Sequence, residues 1–183
     1  MVPFAGYELP VLYKSGEHSG VMKEHLWCRS SGRASLFDVS HMGQIRWHGK
    51  DRASFLETVV VGDIGGLDVG SGCLSLVTNE NGGIIDDTVI TNAGGYVYMV
   101  VNGATKFGDM AHFEGLMADF GGGGKDVSME YLGDDVQLLA VQGPGAADAV
   151  ARLLPEGFDL ARMAFMTGAE TTLDGVGGCR VTR

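Results

Sequence analysis

Two adjacent carboxylates, Asp86 and Asp87, close the run Leu74-Ser75-Leu76-Val77-Thr78-Asn79-Glu80-Asn81-Gly82-Gly83-Ile84-Ile85-Asp86-Asp87, and they are the residues whose type and spacing point most directly to chemistry. The run has two apolar, β-prone segments around an Asn/Glu/Gly stretch, which predicts a hairpin with a longer loop. Side chains alternate along a strand, so the two aspartates are expected to face opposite ways. Asp87 shares its face with Ile85 and Val89, and Asp86 with Ile84 and Thr88. Asp87 is therefore expected to be the costlier carboxylate to hold, because an ionised group among apolar neighbours needs a partner or a polar ligand. A backbone cap or an arginine pair is the structural alternative for it.

Other residues with chemical potential are weaker. Asp38, Ser40 and His41 have the composition of a catalytic triad, but near neighbours in a loop rarely adopt triad geometry, and local side-chain to backbone bonds account for the cluster. His41 is accordingly expected to be structural. Cys28, Cys73 and Cys179 lack a CxxC spacing and read as packing residues of a reducing compartment. None of His18, His25, His41, His48 and His112 lies four residues from another, so no metal site is expected. With 13 basic and 23 acidic residues, a formal charge of −10 argues against a nucleic-acid or anionic-membrane partner. No apolar run reaches the length of a membrane span, and Met1 to Gly6 lack the charged and long apolar stretches of a signal peptide.

The elements that must position these residues are legible in outline. Phe4 to Tyr13, with Pro10 inside, reads as an extended segment over a core. Ser19 to Cys28 predicts a short helix with Val21, Met22, His25 and Leu26 on one side. Ser35 to Gly43 reads as a loop carrying chemistry, followed by a strand over Gln44 to His48. Helical spacing covers Asp51 to Val60. After the central hairpin, Tyr96 to Val101 completes a meander. Asn102 is placed to cap a helix from Ala104 to Phe120, with Phe107, Met110, Ala111, Leu116, Met117 and Phe120 as its core stripe. Gly121 to Gly124 ends that helix, with a possible joint near 121–125. Two strands, Val127 to Leu132 and Gln137 to Gln142, precede a helix from Gly143-Pro144 to Leu154. A hairpin of Thr171 to Asp174 and Gly178 to Arg183 turns around Gly175-Val176-Gly177. Strands and helices interspersed without a repeated βαβ unit give an α+β class with antiparallel sheets and packed helices. Thirty glycines include no GxGxxG after a strand, which argues against a dinucleotide fold.

Five motifs in order, Phe4-Ala5-Gly6-Tyr7-Glu8-Leu9-Pro10, Leu36-Phe37-Asp38-Val39-Ser40-His41-Met42-Gly43, Thr78 to Asp87, Gln142-Gly143-Pro144 and Gly178-Cys179-Arg180-Val181-Thr182-Arg183, resemble the T-protein family of the glycine cleavage system. The resemblance spans essentially the whole chain. It implies a folate-binding, T-protein-like fold in which residues 1–183 are the N-terminal catalytic region, incomplete at both ends, with a C-terminal domain beyond Arg183. It implies a tetrahydrofolate-dependent aminomethyltransferase whose partner is the lipoylated H-protein, in the mitochondrial matrix of a eukaryote or the cytoplasm of a bacterium. By the same resemblance Asp87 is the catalytic and folate-contacting carboxylate, Met42 lines the folate pocket, and Asn102 lies near the ligand. The alternatives are a folate-dependent relative of the dimethylglycine or sarcosine dehydrogenase type, a demethylase, or a folate-binding module without turnover.

Overall fold

A computed structural model describes the chain from residue 1 to 183 except Ser15, His18 and Gly122. One of the five scattered histidines and one glycine of the joint near 121–125 therefore lie outside the described residues. In chain order the elements are β1 (Val2–Phe4), β2 (Tyr7–Leu9), α1 (Val21–Arg29), β3 (Ser35–Asp38), β4 (Gly43–His48), α2 (Arg52–Leu56), β5 (Gly72–Thr78), β6 (Ile84–Asn92) and β7 (Val97–Val101). They continue with α3 (Lys106–Gly121), β8 (Ser128–Tyr131), β9 (Leu139–Gln142), α4 (Ala146–Ala151), β10 (Gly168–Leu173) and β11 (Val176–Thr182). The chain forms two compact units.

The first unit comprises Met1–His41, Gln137–Met163 and Glu170–Cys179. The extended N-terminal segment is a small hairpin of β1 and β2, with Phe4 opposite Tyr7. Both rings meet His41 edge-on, at 5.4 Å and 6.5 Å between centroids, as suits an imidazole used for packing. Ser35 to Asp38 is not a loop but β3, paired antiparallel with β9 from Ser35 opposite Gln142 to Asp38 opposite Leu139. The Ser40 hydroxyl and then the Ser40 amide, which donates to Asp38 at 3.0 Å, hold the Asp38 carboxyl below the usual range and spend it on a local turn. The expected apolar side of α1 is not buried, since Val21, Met22 and Leu26 are all more than half exposed. Pro144 falls just before α4, whose first turn is opened by the Ala146 amide bonding to the Gly143 carbonyl.

The second unit comprises Met42–Val136, Ala164–Ala169 and Arg180–Arg183. Its centre is an antiparallel sheet in the order β5-β6-β7-β4-β8. The meander β5-β6-β7 follows the alternating pattern of its sequence, and β4 then inserts beside β7. Ile90, Met99 and Ile45 lie in one row across β6, β7 and β4, all fully buried. Trp47 packs against Phe55 of α2 at 5.3 Å and Phe113 of α3 at 5.6 Å, so both helices cover this face of the sheet. Each such fully buried side chain stabilises the fold by about 1.5–3 kcal/mol. The stripe of α3 holds at Met110, Leu116, Met117 and Phe120, which lie in or against the core, and departs from expectation in its first half. Phe113 is fully buried and Met110 nearly so, whereas Phe107 is 67% exposed and Ala111 faces outward. Beyond α3, Asp126 accepts from the Lys50 amide and donates its own amide to Asp51, which fixes the segment after the glycines to the start of α2.

Candidate functional site

The tip of the central hairpin is built by Asn79. Its side-chain oxygen accepts from the amides of Asn81 and Gly83 at 3.0 Å and 2.9 Å, and Gly82 takes the positive φ of 75° that the turn requires. The turn sets the register that follows, with Val77 opposite Asp86 and Leu76 opposite Asp87. Asp86 therefore shares the helix-covered side of the sheet with Val77 and Thr88, both buried.

The expected costs of the two carboxylates are consequently reversed. Asp87 does lie among apolar residues, but that face is open: Leu74 is 65% exposed and Ile85 38% exposed, and Asp87 itself is exposed. Asp86 is the half-buried carboxylate, and it is densely bonded. Its oxygens accept from Thr105 Oγ1 at 2.6 Å, Asn102 Nδ2 at 2.8 Å and the Asp87 amide at 2.9 Å. Burial pushes the Asp86 carboxyl up, yet the bonds from Thr105, Asn102, the Asp87 amide and Asp109 together outweigh it and hold the group below its usual range. Alternating apolar neighbours identified a face correctly but could not tell which face α3 would cover.

Asn102 does not cap α3 with its side chain. Its backbone carbonyl receives the Thr105 amide, while Nδ2 donates to Asp86 Oδ1, to Asp87 Oδ1 at 3.0 Å and to the Asp87 carbonyl at 3.3 Å. One amide thus joins the two carboxylates across the edge of the sheet.

Of the three expected site residues, the structure joins Asp87 and Asn102 directly. Met42 stands just before β4, whose first residue Gly43 pairs with Val101 as Thr88 does from the other side. Met42 is half-buried there. Gly43 next to it permits the close packing: a Cβ there would stand 2.6 Å from Val101 Cγ2 and 2.9 Å from Lys106 Cβ. Further along this side the sheet is covered: Gln44 is buried, and the Tyr98 hydroxyl, which donates to Gln44 Oε1 at 2.5 Å, is pushed up to about 12 chiefly by burial. Arg46 lies over the Tyr96 ring at 5.0 Å, and His48 bonds Glu130 at 2.8 Å.

Sequence reasoning missed Thr105 and Asp109, which stand behind the site. Asp109 is 1% exposed in the first turn of α3, and burial together with the hydrogen bond and negative charge of Asp86 raises its carboxyl to about 7. The available signal was its spacing: Asp109 lies four residues before Phe113 and so sits in the core stripe of α3. Among the described residues no three His, Cys, Asp or Glu side chains converge as a metal ion would require, and no helix is long and apolar enough to cross a membrane.

A family model described as the GCVT N-terminal domain matches residues 1–183. The chain belongs to that family. It is similar to the mitochondrial aminomethyltransferase of Dictyostelium discoideum, 46% identical over all of this chain and 44% of the relative. The mitochondrial aminomethyltransferases of Gallus gallus and Homo sapiens are 46% and 43% identical, again over all of this chain and 44% and 43% of theirs. The crystal structure of glycine cleavage system aminomethyltransferase T from Bartonella henselae superposes with a TM-score of 0.77 at 32% identity, covering 93% of this chain and 43% of that one. The chain thus spans less than half the length of these relatives. The α+β architecture with antiparallel sheets is the one this family adopts, and the resemblance carried by the five motifs holds across the full 183 residues.

Proposed function

We propose that this chain is the folate-binding region of a tetrahydrofolate-dependent aminomethyltransferase, the T-protein of a glycine cleavage system. In that reaction the aminomethyl group on the lipoyl arm of H-protein gives its one-carbon unit to tetrahydrofolate. Ammonia leaves, and 5,10-methylenetetrahydrofolate and dihydrolipoyl H-protein remain. The reading is supported by the exposed Asp87 carboxylate held by Asn102, in a chain whose relatives are aminomethyltransferases.

These residues fit a reduced pterin. Tetrahydrofolate supplies the nitrogen nucleophile, and the chain's part is to hold and orient it. Asp87 is an exposed carboxylate steered by the Asn102 amide, and as an acceptor it suits the N–H groups of the pterin and N10. It would orient N10 and stabilise positive charge there as the one-carbon unit arrives. Met42 offers an adaptable thioether against a ring, and the second hydrogen of Asn102 Nδ2 is available to a ligand acceptor only by sharing with Asp86 and Asp87. The partners are then lipoylated H-protein and folate, with no nucleic acid and no membrane. The proposed compartment is the mitochondrial matrix in a eukaryote, in line with relatives named mitochondrial, and the cytoplasm in a bacterium.

Calorimetric titration of tetrahydrofolate into the chain and its Asp87→Asn and Met42→Ala variants tests the site. Turnover is tested as ammonia release from aminomethylated H-protein by a protein carrying this chain and a C-terminal portion like that of its relatives. Saturable binding weakened by both substitutions is expected, and binding indifferent to both overturns the site assignment. Binding without ammonia release would mark a folate-binding module, and demethylation of an N-methylated glycine would mark a dehydrogenase-type relative.

A further inference from the structure

Behind the open face lies a group that the folate reading does not use. Asp109 is almost completely buried, and its Oδ2 atom finds no hydrogen-bond donor. An ionised carboxylate accepts only, so an orphaned buried oxygen of this kind is costly. The Asp86 carboxylate interacts with Asp109 directly, and it is already an acceptor of three bonds and itself unable to donate. Two carboxylates facing each other satisfy both groups only if one of them carries a proton.

We propose that Asp109 holds a proton that it donates to Asp86, and that this shared proton fixes Asn102 and through it the orientation of Asp87. The allocation follows from the partners. Asp86 has the donors that stabilise a charge, while Asp109 has burial and a negative neighbour, which favour the neutral acid and raise it to about 7. The groups facing Asp109 are Asp86 from β6 and the Thr105 hydroxyl from the segment before α3. Along its own helix the neighbouring titratable groups are Lys106, whose ammonium lies 5.3 Å from the Phe107 ring centre, and His112. The relay Asp109–Asp86–Asn102–Asp87 therefore crosses the sheet from its covered side to its open side. Asp109 and Asp86 are positioning residues: neither is on the face that Asp87 presents. When Asp109 ionises, the two charges repel, Asp86 is displaced from its donors, and Asn102 loses the anchor that steers Asp87.

The consequence for ligand affinity rests on the folate reading above, but the relay itself is testable without any ligand. In the 183-residue chain, carbon NMR of labelled aspartate should show one carboxyl titrating near pH 7, absent in Asp109→Asn and moved to lower pH in Asp86→Asn. The side-chain amide signals of Asn102 should shift with the same midpoint and become independent of pH in Asp109→Asn, which keeps the shape and a hydrogen-bond donor. A structural carboxyl unconnected to Asn102 would leave those signals still. The proposal is overturned if no aspartate titrates above the ordinary range, or if the Asn102 signals stay fixed across neutral pH or move equally in Asp109→Asn. Tetrahydrofolate affinity should then weaken about fivefold between pH 6 and pH 8 and stay level in Asp109→Asn, in keeping with modest site-to-site couplings. An Asn102 titration with no folate binding at either pH would refute the folate reading and leave the relay standing.

Discussion

Asp86→Asn and Asp87→Asn are neighbouring, isosteric substitutions that should separate stability from function. Asp86 accepts three hydrogen bonds at 2.6–2.9 Å, and an asparagine has one acceptor oxygen in place of two. Its NH2 group would confront either the Thr105 hydroxyl or the Asn102 amide. Bonds to a charged group are worth about 1.5–3 kcal/mol, and the loss of one such bond sets the expected cost of Asp86→Asn. At roughly 2–4 °C per kcal/mol for a chain of this size, the thermal midpoint should fall by about 3–12 °C. Asp87 is exposed and gives up one bond to Asn102, so Asp87→Asn should stay within about 0.5 kcal/mol of the parent. Tetrahydrofolate affinity should respond in the opposite order, falling more in Asp87→Asn per folded molecule. Calorimetric unfolding and folate titration on the same three preparations measure both. Equal thermal losses, or a stable Asp86→Asn beside an unstable Asp87→Asn, would refute the assignment of the covered and open faces.

Met42→Ala should weaken tetrahydrofolate binding by about 1–3 kcal/mol if the thioether packs on the pterin, and unchanged affinity by calorimetry would return Met42 to ordinary packing. Phe113→Ala should destabilise the chain by about 3–5 kcal/mol, because the ring is fully buried against Trp47, whereas Phe107→Ala at a 67% exposed position should cost far less. Stability should decline as pH rises from about 4 to about 7, because the folded chain retains on Asp109 a proton that the unfolded chain, with a carboxyl near 3.8, has already released. Asp86, held low, acts in the other sense and only as pH falls through and below the ordinary carboxylate range. Denaturant titrations from pH 4 to pH 8 should show the decline in the parent chain and lose it in Asp109→Asn.

What the sequence disclosed and what it concealed divide along the range of the interactions. The hairpin, the meander and α3 are written in local periodicity and turn residues, and they form where expected. β3 was read as a loop because its pairing partner β9 is about a hundred residues away, and Asp38, Ser40 and His41 at its end have the composition of a turn. The α3 stripe differs from expectation at Phe107 and Phe113, because the position of Trp47 in the sheet selects Phe113 for the core. The grouping of Met42, Asp87 and Asn102 rests on family resemblance, since no spacing in the chain brings β4 beside β7. Asp109 was overlooked because an acidic residue in a first helical turn ordinarily serves the helix dipole at the surface.

The doubled aspartate follows from these constraints. A single carboxylate at the end of β6 would have to choose between the covered side, where Thr105 and Asn102 can hold it, and the open side, where a ligand can reach it. Strand alternation lets two adjacent residues take both positions at once. The first is anchored by donors from the α3 segment, and the second is left exposed but tied to the first through one amide. Asn102 can make that link because it follows the last paired residue of β7, and its side-chain amide reaches both carboxylates. An Asn102→Asp variant would put a third carboxylate between the two, replacing a donor with a repelling acceptor. It should therefore lose both the stability that depends on Asp86 and the steering of Asp87, whereas substitution of either aspartate alone affects mainly one of them.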